Sequence, residues 1–121
     1  MSVYNLSHRL AKAIKDSDEY KTFQEARKRI KQKDKSIDIL KEYQNLVWKV
    51  NYLESQGKEV PEEDQNRLEE LQNLVQMNDY VKKYLEARAR FSTMVNDIED
   101  ILFDDLELGL GLEEEAGTED E

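Results

Sequence analysis

From Ile39 to Leu53 the apolar residues Ile39, Tyr43, Leu46, Val50 and Leu53 recur at steps of four, three, four and three. That spacing puts all five on one side of an α-helix and scatters them over both faces of a strand. Val81, Tyr84, Arg88, Phe91, Val95, Ile98 and Leu102 repeat the pattern with one charged interruption. At 1.5 Å per residue each stripe belongs to a helix about 30–40 Å long. One Pro and four Gly leave the chain few places to turn, and before residue 104 no stretch alternates long enough to argue for a strand. The expectation is an all-α fold: an antiparallel helical bundle of about five helices, two of them long, with coiled-coil-like packing. The two long helices should pair, joined through a 57–61 turn and the fourth helix.

Breaks in the pattern set the helix boundaries. Ser17, followed by Asp18 and Glu19, suits an N-cap with acids in the first turn. Asp34 is a second candidate cap. Gly57 suits a helix C-terminus, where a left-handed residue is wanted, and Pro61 opens the next helix. Asn78-Asp79 marks the last break. Helices are predicted over 3–16, 18–33, 35–56, 62–77 and 80–103. In the first, Val3, Leu6, Leu10, Ala13 and Ile14 fall on one face; in the second, Tyr20, Phe23, Ala26 and Ile30 do.

Charge divides the chain at Phe103. The formal net charge is -10, yet residues 104–121 hold nine acids and no base, so residues 1–103 are close to neutral. The sequence therefore reads as a helical domain over 1–103 and an acidic, disordered tail over 104–121. In the tail Leu106, Leu108, Leu110 and Leu112 alternate with acids or Gly. The segment either keeps the protein soluble or adds to a partner's sheet edge or groove.

The same composition excludes most chemistry. There is no Cys and one His, which removes disulfides, thiol catalysis, Cys-based metal sites and His-rich metal sites. No Gly-rich loop precedes a helix, and neither a nucleophile elbow nor an H-E-x-x-H pair occurs. Glu62-Glu63 and Glu69-Glu70 are sequence neighbours that diverge around a helix. His8 reads as a surface residue. The expectation is no enzyme, no catalytic residue, no metal and no cofactor. No apolar run approaches the roughly 20 residues of a membrane span, and nothing resembles a secretory signal, so a cytoplasmic location is expected.

What remains is surface. Ile37, Trp48 and Tyr52 lie about 180° around the third helix from the centre of its apolar stripe. Either the first or second helix covers this side, or it is an interface with another chain, a setting in which Trp and Tyr dominate binding energy. Arg88 breaks the fifth-helix stripe; it either reaches solvent or pairs with a carboxylate of a neighbouring helix or subunit. Lys21 to Lys35 is the basic block, with seven bases against two acids. Arg27, Lys28, Arg29 and Lys33 point in different directions around a helix, which argues for a solvated face or a dock for the acidic tail over direct nucleic-acid binding.

Taken together, Ser17-Asp18-Glu19-Tyr20, Asp34, Gly57-Lys58-Glu59-Val60 with Glu62-Glu63, Asn78, and Tyr84-Leu85-Glu86-Ala87 resemble the YlbF/YmcA family of small all-helical bacterial regulators. The resemblance covers about residues 3–103. Lys35 and Asp79 stand where the family often has Pro, and both are compatible with a helix start. The resemblance implies a non-enzymatic, oligomeric adaptor whose best-known relatives influence RNase Y and messenger RNA processing. Family members that bind iron–sulfur clusters do so through cysteines, which this chain lacks. The expected function is thus a regulatory adaptor acting as a homo-oligomer on other proteins, an RNase complex among them. The competing expectation is a holdase-like scaffold for unfolded or basic clients.

Overall fold

The computed structural model describes residues 2–107, in five helices: α1 (Val3–Asp16), α2 (Asp18–Ile30), α3 (Asp34–Ser55), α4 (Glu62–Met77) and α5 (Asp79–Phe103). Among the described residues there is no strand. The fold is the all-α, five-helix arrangement expected. The chain divides into two compact units, residues 1–91 and 92–121, so the division falls inside α5.

Local chemistry explains the boundaries. Ser17 both ends α1 and starts α2: its hydroxyl donates to the Ile14 carbonyl at 2.6 Å and accepts the Tyr20 N–H at 3.2 Å. Gly57 has φ 68°, the left-handed conformation that costs glycine nothing. Its N–H reaches the Glu54 carbonyl at 3.1 Å, and the Lys58 N–H reaches Leu53 at 2.9 Å. This paired closure satisfies the last carbonyls of α3 and turns the chain sharply. Asp34 does not cap α3. Lys33 holds the N-cap position without a side-chain bond, and Asp34 is the first helical residue, where its charge favours the positive end of the helix. α2 also stops at Ile30, three residues short of the expected boundary, as Gln32 and Lys33 donate to Arg29 and Ile30 in tight turns.

In the unit 1–91, α1 packs on α2, the end of α2 meets α3, and the most extensive helix contact is α3 with α4. The Gly57 turn folds α4 back along α3, so α4 and not α5 is the close antiparallel partner of the long helix. Arg67 grips Glu42 through two bonds of 2.6 and 2.7 Å, and Lys49 meets Asp64 at 2.8 Å. Hydrogen bonding to Arg67 holds the Glu42 carboxyl below its ordinary value of 4.5, and Arg67 is raised in turn by Glu42 and Glu70. The favourable term is complete above that ordinary value and is lost as pH falls through the lowered one. Both partners are open to solvent, so the pair sets register more than it stabilises.

The core is small and sits where four helices meet. Ile30 of α2, Leu40 of α3, Val75 of α4 and Val81 of α5 form one cluster, flanked by half-buried Ile37, Ile39, Tyr43, Tyr84 and Leu85. Leu71 and Val81 are the largest side chains wholly removed from solvent. An aromatic group joins α2 to the first half of α5: Phe23 lies 5.6 Å from both Tyr84 and Phe91, and Tyr20 lies 5.4 Å from Phe91. In the unit 92–121 the helix runs on through half-buried Met94, Val95 and Ile98 to exposed Ile101, Leu102 and Phe103.

Asn78 locks this meeting point. Its Oδ1 accepts the Val81 N–H at 3.1 Å, capping α5, and accepts the buried Ser36 hydroxyl of α3 at 3.1 Å. Asn78→Ala removes the cap and strands a buried hydroxyl. We expect a loss of about 1–3 kcal/mol, larger than for Ser36→Ala, which removes donor and demand together. Urea unfolding at one fixed protein concentration compares the two. Leu71→Ala should cost about 2–5 kcal/mol through the cavity it leaves, read by the same measurement.

Candidate interaction surfaces

Trp48 and Tyr52 sit one turn apart on α3, and their rings stack at 5.6 Å with planes 9° apart. Trp48 is 69% exposed and Tyr52 50%. Neither α1 nor α2 covers them. Lys41 and Asn45, also exposed, extend the same side of the helix. A pair of rings held parallel by one helical turn is a rigid apolar plate, with little rotamer freedom left to lose on contact.

The structure does not bring Ile37 to this plate. Ile37 is half-buried against the Ile30–Leu40–Val75–Val81 cluster. It shares the helical bearing of Trp48 but lies about three turns earlier, where α2 and α5 reach α3. Position along the helix, not angle around it, separates the two. Arg88 is exposed, and among the described residues it makes no ion pair or ring contact. The seam of α5 passes through its neighbour Ala87, which is 4% exposed. Arg88 thus follows the first of the two expected courses, reaching solvent from the edge of the seam. Of the tail leucines, Leu106 is half exposed; Leu108, Leu110 and Leu112 lie outside the described residues.

Two further surfaces take their form only in the structure. The first is α1, whose apolar face was expected to be core. Leu10 and Ile14 are half-buried, but Val3 is 76% exposed, and Tyr4 and Leu6 are open as well. The face was legible; its lack of cover was not, because it depends on α1 touching, among the described residues, α2 alone.

The second is a groove of about 880 Å³ between α2 and the first half of α5. Lys21 and Arg29 of α2 line it, with Lys33 from the turn before α3 and Lys83 and Arg90 of α5. The basic block does splay around α2, as expected: Arg27 turns away onto the Phe23 ring at 5.8 Å. Residues four and eight apart on α2 nevertheless form one wall, which α5 completes. Among the described residues no His, Asp and Glu gather into a group that could hold a metal ion, and no helix is long and apolar enough to cross a membrane.

The family model for control of competence regulator ComK, YlbF/YmcA, matches residues 3–107. A UPF0342 protein of Halothermothrix orenii is 32% identical over 110 residues, covering 91% of this chain and 93% of the relative. A UPF0342 protein of Symbiobacterium thermophilum is 32% identical over 108 residues, with 89% and 96% covered. One from Clostridium tetani is 27% identical over 113 residues, with 93% and 97% covered. A match across all five helices, together with relatives of similar length, places this chain in the YlbF/YmcA family.

Proposed function

We propose that the chain is a non-enzymatic regulatory adaptor: a homo-oligomer that acts by presenting helical surface to other proteins. The observation that carries this reading is the stacked Trp48–Tyr52 pair, exposed on a helix whose opposite side is already committed to α4. Large aromatic side chains are costly to leave in water and are over-represented where binding energy concentrates. The uncovered face of α1 adds to the argument, since six apolar residues make up the buried core among the described residues. A second copy covering these faces would supply what the single chain lacks.

A regulatory role also accords with the family model's description. The sequence resemblance suggests an RNase complex as the partner to seek first. A regulator of this kind co-purifies with few proteins in fixed ratio, whereas a holdase suppresses aggregation of unrelated clients.

Trp48→Ala tests the reading directly. Because the ring is mostly outside the fold, helix content by circular dichroism should be unchanged. Self-association, measured by sedimentation over a concentration series, should weaken about 30-fold or more, as expected for a residue worth about 2 kcal/mol or above at an interface. A wild-type chain that sediments as a monomer throughout, or an oligomer indifferent to the substitution, would sink the proposal.

A further inference from the structure

The groove between α2 and the first half of α5 carries more cations than the fold around it pairs. Arg29 is taken by Glu25 at 3.0 Å. Lys21, Lys33, Lys83 and Arg90 make no ion pair among the described residues. Against them the walls bring two further carboxylates, Asp79 and Glu86. Lys21 belongs with Arg90 at the Phe91 end of the groove, where its neighbour Tyr20 meets the Phe91 ring. Lys33 lies at the other end, over the Tyr80 ring at 5.2 Å. The cations are thus spaced along the groove as well as across it, and the small side chains Ala26 and Ala87 line the space between them. Such a file of charges suits a strand of carboxylates better than a single compact anion.

A strand of that kind is covalently attached. Residues 104–121 hold nine acids and no base. Arg90 and Phe103 are 13 residues apart on α5. However the end of that helix is directed, Phe103 therefore lies no more than about 20 Å from Arg90. The 18 residues that follow reach up to about 60 Å, so the acids from Glu113 onward can lie anywhere along the groove. Tethering through a short segment gives an effective concentration of about millimolar, far above that of a dilute free competitor. We propose that residues 113–121 dock in the α2–α5 groove of their own chain. Reach selects this occupant, because covalent geometry guarantees it in a monomer and in an oligomer alike. Docked there, the segment neutralises the groove and closes it to weaker anions, and salt releases it.

The test uses the full chain, prepared in heavy and light isotopic forms that are mixed, unfolded and refolded together. Carbodiimide then joins lysines to carboxylates in direct contact. Links from Lys21, Lys33 and Lys83 to residues 113–121 should exceed those from Lys41 and Lys58 about fivefold, and should fall about fivefold between low and high salt. Every groove link should join residues of one isotopic form. Lys83→Glu with Arg90→Glu changes two exposed positions, so helix content should hold while links from Lys21 and Lys33 drop about fivefold.

Heavy–light groove links as frequent as same-isotope ones would mean that a neighbour's segment fills the groove, and would overturn the proposal. So would links spread evenly over all lysines, or groove links that the double variant leaves unchanged. Docking within one chain needs no oligomer, so a chain that sediments as a monomer defeats the function proposed above and leaves this expectation standing.

Discussion

Four apolar side chains, one from each of α2 to α5, meet in the cluster of Ile30, Leu40, Val75 and Val81, and the rest of the described fold hangs on that junction. Three of them lie near helix ends: Ile30 closes α2, Val75 is two residues from the end of α4, and Val81 is two from the start of α5. From that junction α3 and α4 run on side by side, while α1 contributes nothing to the cluster and, among the described residues, meets α2 alone. Val3 and Leu6 are left open at the start of α1, and Trp48 on the side of α3 away from α4. Asn78 matters more than its polarity suggests, because it fixes the start of α5 to α3 at that same point.

Electrostatics plays a directing role around this core. The pairs Glu42–Arg67 and Lys49–Asp64 run in opposite order along α3 and α4, so they favour one antiparallel register and disfavour a slip of one turn. The energy of such surface pairs is small and screened. Their value is in choosing among alignments that the apolar stripe of α3, repeating every seven residues, would accept almost equally.

How far the sequence could be read depended on the range of the interaction involved. Ser17 and Gly57 were legible because capping hydroxyls and left-handed glycines act within a few residues. Helix count and type were legible because period is a local property. Asp34 misled by one position: a carboxylate favours both the cap and the first turn, and nothing nearby distinguishes them. The apolar stripe of α3 was assigned correctly as a stripe, but the buried positions are Ser36 and Leu40, at its margin. Those depend on α2 and α5 arriving from elsewhere in the chain. Likewise a period of seven could not choose between Ala87 and Arg88, neighbours only 100° apart. The α2–α5 groove needed tertiary structure outright, since its two walls are some 60 residues apart in sequence.

The chain has a single tryptophan, and that indole lies against Tyr52 in open solvent, away from the cluster that holds the helices together. Its emission is consequently governed first by that surface and only indirectly by the core. Anything settling on the aromatic plate, a second copy included, would shift its spectrum, and so would its release. In this protein the natural fluorophore reports occupancy of a surface.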